Sequence, residues 1–537
     1  MTAAADMVIE GARIRTLDPQ RPFASAIAVR DGRIIAVGDA QATAPFRGPG
    51  TQLLDGRGRA VVPGLIDAHC HPLWGARAMR DADVSDARDL AHALEGLRAA
   101  ADARSPDEWI TAHGLRRDWF GGAPTGAVLE AAVGARPAFV SFLDGHGALA
   151  TPAALARAGV FGPRPFGDSS QIVCDPDGVP TGELREPSAM EAVRSHIPEL
   201  TPTRRRELYR AQLARMAALG IVAAHVMDDV PEDLDDLARI EADGELAVRL
   251  TVYLWLQPEM DDDQITDAIA RAGRCGRRWR SGAAKFFLDG VIDQGTAWLG
   301  RCDLRGEGTA PNWPDPGRYA DVVRRCVAAG LGCATHAIGD QAIRTALDAY
   351  ASAHPRRLGQ PPCRIEHVEL CDPRDTRRFG ELGVVASMQP IHIAAVADDP
   401  ASAWADRLDP GRRGWGWPCA DLARAGAVIA LGSDWPVANP DPRLGMMWAR
   451  QRLGPGQEGE GYREDQALGA EAALEGYTRG AAHAGGDADA GRIVVGARAD
   501  LTIFAADPVE CAADELPDIP VLATIVSGAI THRSADG

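Results

Sequence analysis

From residue 220 onward the chain alternates short apolar runs with helical segments, and this rhythm restricts its fold more than any other feature. The runs at 221–226, 247–254, 283–288, 331–336, 364–367, 384–388 and 427–431 read as strands buried on both faces, because a strand covered by helices shows a continuous apolar stretch. Segments with helical spacing, such as 319–329 and 340–353, lie between most of them. An eighth run, Val61-Val-Pro-Gly-Leu-Ile, stands far upstream, with Pro63-Gly64 as its entry and Pro72 as its exit. Eight alternating β and α units predict an α/β fold whose parallel strands close into a (β/α)8 TIM barrel. The rival is an open doubly wound sheet, but no G-x-G-x-x-G follows a strand and no phosphate loop is present.

The two ends of the chain differ in kind. Residues 7–16, 24–30 and 33–38 read as short strands, with Asp31-Gly32 as a turn signal and no chemistry-bearing cluster. Strand-like runs return at 491–496, 499–504 and 520–528. Residues 1–60 and 490–537 are therefore expected to form one composite β-sandwich, and 61–489 the barrel. A long insertion, 74–215, follows the first barrel strand and is expected to be mixed and richer in helix. Within it, 89–103 has helical spacing, and 137–143 reads as a buried strand leading to Asp144-Gly145-His146. Asp175-Pro-Asp-Gly and Pro180-Thr-Gly-Glu read as turns. Residues 201–219 read as a helix, N-capped by Thr201 or Thr203 and stopped by Gly220.

A barrel places its working groups at the C-terminal ends of its strands. His69 and His71 close the first strand and, one residue apart, point to the same side of it. Lys285 lies in the fourth strand, His336 ends the fifth, His367 ends the sixth and Asp434 follows the eighth. Each has a plain structural explanation taken alone: a core histidine, a solvated lysine, a helix-capping aspartate. Six such groups at the matching ends of five strands are hard to obtain by chance, and the two imidazoles on one side of the first strand make a natural divalent-metal grip.

The 537 residues are 46% hydrophobic, enough for a sizeable core, and their net charge of −18 argues against nucleic-acid or anionic-membrane partners. No apolar run approaches the roughly 18 residues of a membrane span. The opening residues lack the basic and apolar regions of a secretion signal. The 10 cysteines include no C-x-x-C pair, and Cys70, Cys333 and Cys363 sit in apolar runs. Reduced core thiols and a cytoplasmic location are expected.

Together these segments resemble the metal-dependent amidohydrolase superfamily, and within it the YtcJ-like branch (amidohydrolase family 3), over essentially the whole chain. The matching stretches are Pro63-Gly-Leu-Ile-Asp-Ala-His-Cys-His-Pro, Asp144-Gly-His146, Lys285-Phe-Phe-Leu-Asp-Gly, His336-Ala-Ile-Gly-Asp, Arg364-Ile-Glu-His, Ser387-Met-Gln-Pro, Gly432-Ser-Asp434 and Val495-Gly-Ala-Arg-Ala-Asp-Leu. One departure is Val291-Ile-Asp-Gln-Gly-Thr-Ala, where the branch usually has a Ser-rich stretch, in a loop expected to face substrate.

The resemblance implies one or two divalent metal ions and hydrolysis of an amide-type C–N bond other than a peptide bond. It implies that His69 and His71 hold the more buried metal, that His336 and His367 hold the second, and that Lys285 is an N-carboxylysine bridging them. Burial beside cations would keep the Lys285 amine neutral, as carboxylation requires. The alternative is a plain Lys285 bonded to Asp289 or to a substrate carboxylate. Asp434 would touch a metal and serve as general base and acid. Asp144, His146, Asp289 and Trp298 are expected to meet substrate, with a plain structural turn as the alternative at Asp144-Gly-His146. Trp74, Trp119, Trp298, Trp415, Trp417 and Trp435 lie near loops and suggest a partly apolar pocket.

The chemistry of the residues agrees with this. Neutral imidazoles with carboxylates suit zinc. A bound ion lowers the pKa of its water to about 7 and polarises a carbonyl, and an aspartate beside that water can carry its proton to a leaving amine. An N-substituted formamide leads as the specific substrate, with a cyclic amide or an N-acyl amine equally compatible. A metal-dependent barrel lyase such as a decarboxylase, and a non-catalytic binding protein on the same fold, are the alternatives. The partner implied is a small-molecule substrate, neither nucleic acid nor membrane, and a homodimer is compatible with this reading.

Overall fold

The computed structural model describes residues 3–105, 107–142, 147–166, 170–185, 187–228, 231–293, 295–353, 360–394 and 402–535. The described chain forms two compact units, Met1–Trp74 with Tyr209–Gly537, and Gly75–Leu208.

In the first unit eight strands pair in parallel, in chain order: Leu65–Cys70, Ile221–Val226, Arg249–Trp255, Trp279–Phe287, Gly332–Ala337, Arg364–His367, Val385–Met388 and Ile429–Leu431. The chain beyond the eighth strand closes this barrel against the first. The Asp434 N–H donates to the His69 carbonyl at 2.7 Å, and the His71 N–H donates to the Trp435 carbonyl at 2.7 Å. This close approach needs Gly432, where a Cβ would lie 2.5 Å from the His69 nitrogen. Beneath it the buried Asp67 carboxylate accepts from the Ser433 N–H at 3.0 Å and the Ser433 hydroxyl at 2.6 Å.

The apolar run at 61–66 is not one strand. It divides at Gly64, whose N–H turns to the Asp500 carbonyl at 2.8 Å. Ala60–Pro63 pairs antiparallel with Leu501–Phe504, in the sheet built by the chain ends, and only Leu65–Cys70 enters the barrel. Both strands are buried on both faces, so their apolar runs fuse in the sequence and hide the crossing.

The sheet of the chain ends has eight strands. Its path runs Ala529–Arg533, Val521–Val526, Leu501–Phe504, Ala60–Pro63, Met7–Arg15, Phe23–Arg30 and Arg33–Gly38, with Gln52–Asp55 also on Met7–Arg15. The long strand bends at a bulge between Glu10 and Ile14, where Gly11 has φ +72. Its first half pairs with Gln52–Asp55 and its second half with Ala60–Val61, so the sheet wraps one core of Ile9, Ile14, Ile27, Val29, Leu501 and Ile525. Residues 491–496 are not the expected strand. Ile493 and Gly496 each make a single backbone bond, to Thr16 and Ile34, between glycines at φ +79 and +90.

The second unit is built on a mixed sheet of six strands rather than mainly on helices: Gln171–Cys174, Pro180–Arg185, Gly147–Ala150, Ala138–Phe142, Ile110–Leu115 and Ala82–Asp83. The expected helix is Leu90–Asp102, capped by Asp89 accepting from the His92 N–H at 2.8 Å. Pro180-Thr-Gly-Glu opens a strand instead of forming a turn. Glu183 is fully buried there, paired with Arg117 and Arg185. The helix Pro202–Ala218 starts as expected, with the Thr201 hydroxyl accepting from the Arg204 N–H at 3.3 Å, and ends before Gly220 at φ +87.

Among the described residues no helix is long and apolar enough to cross a membrane. All ten cysteines are free, and Cys70, Cys333 and Cys363 are buried.

Candidate metal centre

His69 and His71 leave the first strand on one side, and both offer Nε2 to the same atom. Asp434 Oδ1 lies 3.3 Å from His69 Nε2 and 3.4 Å from His71 Nε2. Asp434 reaches them from just past the eighth strand in a left-handed conformation, φ +59, which Asp tolerates better than most side chains. Each imidazole is backed by a carboxylate at Nδ1: Glu366 Oε2 at 2.5 Å for His69, Asp228 Oδ1 at 2.8 Å for His71. The other Asp228 oxygen accepts the Leu73 and Trp74 N–H groups, each at 3.0 Å.

His336 and His367 complete a ring of imidazoles, with centroids 4.5 Å apart and His367 4.8 Å from His69. Strand alternation would send Glu366 and His367 to opposite faces. Positive φ at His367 (+73) and Val368 (+49) twists the strand end and brings His367 to the mouth as well. His336 Nε2 faces the Gly290 carbonyl at 3.1 Å. Among the described residues His367 Nδ1 has no hydrogen-bond partner, and neither have His69 Nε2 and Lys285 Nζ, all three being buried. The Lys285 ammonium position lies 4.7 Å from the Phe287 ring centroid. A further histidine, His392, stands on the short helical turn Pro390–Ile393 after the seventh strand, with Nε2 3.7 Å from Asp434 Oδ2.

The electrostatics separate these groups. Burial pushes Lys285 down to about 8, despite the Glu366 and Asp434 charges. Burial, then the Lys285 charge, takes His336 down to about 3, and burial with the neighbouring His336 keeps His367 well below its ordinary value. Burial alone would lower His71, but Asp228 and Asp434 outweigh it and raise it to about 9. Burial would raise Asp434, and His69, His71 and His367 instead hold it well below the usual carboxylate range. The centre thus combines neutral imidazoles at His336 and His367, a proton-holding His71, an ionised Asp434 and a lysine that gives up its proton more readily than usual.

His69, His71, His336, His367, His392 and Asp434 line a cavity of about 710 Å³. Its remaining wall is largely apolar and aromatic, with Phe287, Val291, Ile338, Ile391, Trp404 and Trp417. Asp293, Glu369 and Asn439 add polar points, and no lysine or arginine lines it among the described residues. Trp404 Nε1 donates to Glu369 Oε2 at 3.2 Å.

Of the residues expected at the site, His69, His71, His336, His367 and Asp434 meet at this cavity, with Lys285 buried beneath. Asp289 is 1% exposed, and its carboxylate accepts the backbone N–H groups of Trp298 (2.8 Å), Ile338 (3.0 Å) and Gly339 (2.8 Å). Burial raises it to about 7. Neither Asp289 nor Trp298 lines the cavity, and the Trp298 ring packs on the core instead. Asp144 and His146 lie outside the described residues. Of the six tryptophans, Trp417 faces the cavity, and Trp74 is 54% exposed with its ring against His71. Sequence reasoning missed Asp228, Glu366, Glu369, His392 and Trp404. Asp228 lies two residues past the second strand, a position where a barrel puts working groups.

Two trios bring three ligand atoms within 4.8 Å of one another: His69, His71 and Asp434, and His367, His392 and Asp434. Buried imidazole nitrogens with no hydrogen-bond partner, grouped about a carboxylate, are the donor set a divalent ion takes, so these residues fit a metal.

A family model for the amidohydrolase family matches residues 52–532. The chain is 30% identical to Protein LONG AFTER FAR-RED 3 of Arabidopsis thaliana, over 84% of this chain and 79% of that protein. It is 27% identical to an N-substituted formamide deformylase of Arthrobacter pascens, over 99% of each, and 25% identical to the amidohydrolase YtcJ of Bacillus subtilis (strain 168), over 98% of this chain and 99% of that one. Its fold is that of a metal-dependent hydrolase from Pyrococcus horikoshii OT3, with TM-score 0.78, 24% identity and coverage of 94% of this chain and 99% of that one.

Proposed function

This chain belongs to the amidohydrolase family, in its YtcJ-like branch, and we propose that the bond it cleaves is in a small, largely apolar N-substituted formamide or N-acyl amine. It is a metal-dependent hydrolase acting on carbon–nitrogen bonds. The observation that carries the finer reading is the joint approach of His69 Nε2 and His71 Nε2 to Asp434 Oδ1 at the end of an apolar cavity. A substrate with an apolar amine portion would rest on Phe287, Trp404 and Trp417, with its amide at the imidazoles. The similarity to a formamide deformylase over nearly the full length supports the same substrate class.

His69, His71, His336, His367 and Asp434 would hold one or two divalent ions, and imidazoles with carboxylates suit zinc. Lys285 joins them as an N-carboxylysine. A buried ammonium with no hydrogen-bond partner among the described residues is costly, and carboxylation of the neutral amine turns it into an anion fit for cations. Such an ion supplies the Lewis acidity that lets water attack a carbonyl at neutral pH. The chain supplies the proton path. Asp434 takes a proton from the attacking water and delivers it to the leaving nitrogen, which departs poorly as an anion. Its backbone N–H bond to the His69 carbonyl fixes the carboxylate relative to the imidazoles. The apolar wall keeps bulk water from the amine portion.

The test is amine release from a panel of N-substituted formamides and N-acyl amines, with carboxylate-bearing analogues as comparison. Amine release from the neutral apolar members supports the reading. Carbon dioxide release without amine, or turnover confined to the carboxylates, overturns it.

A further inference from the structure

Barrel interiors are normally packed with Val, Ile and Leu. This one holds Arg364 and Glu366, both fully buried. They stand two residues apart on the sixth strand, so both side chains enter the interior. The guanidinium holds the carboxylate with two bonds, Nε to Oε1 at 2.5 Å and Nη2 to Oε2 at 2.8 Å. Its other N–H directions reach the Ala68 carbonyl on the first strand, His225 Nδ1 on the second (2.7 Å), the Tyr253 hydroxyl on the third (3.3 Å) and the Ser387 hydroxyl on the seventh (2.6 Å). One side chain therefore ties five strands together. Glu366 Oε2 also meets His69 Nδ1 at 2.5 Å, and the opposite nitrogen of that ring, Nε2, has no hydrogen-bond partner among the described residues.

A buried ion pair is weak evidence for stability, because apolar side chains of similar volume often do as well or better. What apolar side chains cannot do is fix a tautomer. We infer that Glu366 and Arg364 are positioning residues for the metal centre: Glu366 holds His69 with its proton on Nδ1 and Nε2 bare toward Asp434, and Arg364 holds Glu366. His71 has a carboxylate in the same position, but among the described residues the other Asp228 oxygen is anchored to nearby backbone N–H groups. The hold on His69 runs through the barrel wall itself. This inference rests on the metal-centre reading.

Glu366→Gln keeps the shape, but its NH2 must face either Arg364 Nε or His69 Nδ1, both donors, so one side of the hold is lost. A partner behind a ligating imidazole is worth about 10–100-fold in metal affinity. Chelator competition with Co²⁺ should show a loss of that size, with an altered absorption spectrum of the cobalt-loaded protein and unchanged circular dichroism. A double variant, Arg364→Met with Glu366→Leu, replaces the pair by apolar bulk. It should fold cooperatively and show the same loss of affinity, which separates positioning from stability. It also serves if Glu366→Gln alone does not fold. Wild-type affinity and spectrum in either folded variant overturns the inference, as does failure of both to fold, which would make the pair structural. A wild-type protein that binds no divalent ion overturns the metal-centre reading as well, so the two failures are distinguishable.

Discussion

Asp434→Asn separates proton transfer from architecture. Asn tolerates the left-handed backbone at this position nearly as well as Asp, so φ +59 adds little strain. Its amide oxygen can still face His69 and His71, where the Asp434 carboxylate oxygen lies 3.3 and 3.4 Å away. The backbone N–H bond to His69 that closes the barrel is untouched. What disappears is the ability to take a proton from water and give it to nitrogen. General acid–base groups contribute about 10²–10⁴-fold, or about 3–5 kcal/mol of activation barrier. Steady-state amine release should therefore fall by at least about 10²-fold. Circular dichroism should be unchanged, and elemental analysis should find most of the metal retained, because His69, His71, His336 and His367 remain. If Asp434 merely capped the chain after the eighth strand, Asn would cap as well as Asp. A variant with turnover within tenfold of wild type and full metal content would refute the catalytic role.

Lys285→Ala should lose both metal and activity, and added short carboxylic acids should restore part of each by standing in for the proposed carbamate; a variant that keeps its metal contradicts that proposal. His71 has its pKa raised from about 6.5 in the unfolded chain to about 9 in the metal-free fold. A raised value stabilises fully below the unfolded pKa and is lost as pH rises through the folded one, so the melting temperature of metal-free protein should fall from about pH 6.5 to 9. Over the same range metal uptake should release a proton and tighten with pH, which calorimetry in two buffers reads directly, and a flat profile in both measurements contradicts it. Trp404→Phe removes the indole donor to Glu369 at 3.2 Å while leaving an aromatic wall. The loss of a hydrogen bond to a charged group should raise KM about tenfold with a smaller change in kcat, and an unchanged KM would place substrate elsewhere.

The barrel was legible because parallel strands buried on both faces leave continuous apolar runs, and 221–226 and 364–367 coincide with strands Ile221–Val226 and Arg364–His367. The proposed ligands were legible for a related reason, since strand ends are where the fold delivers polar groups. The same signal concealed the crossing at Gly64, because two buried strands from different sheets abut without a polar break. Short strands in the insertion, such as Gln171–Cys174, are too brief to show a period, and the sheet there went unread. Glu366 adjoins His367, and simple alternation allows only one of them to face inward. The positive φ at His367 that lets both take part leaves no trace in composition. His392 lies beyond its strand on a turn, and only the approach to Asp434 in three dimensions gives it meaning.

Metal dependence of amide cleavage is tested most directly on one preparation, by elemental analysis followed by turnover before chelation, after chelation and after re-addition of zinc. Protein as prepared should hold one or two divalent ions per chain, as its ligand set allows. Amine release from an N-substituted formamide or N-acyl amine should vanish with the metal and return with it. Turnover that persists in metal-stripped protein would contradict the metal centre at His69, His71 and Asp434.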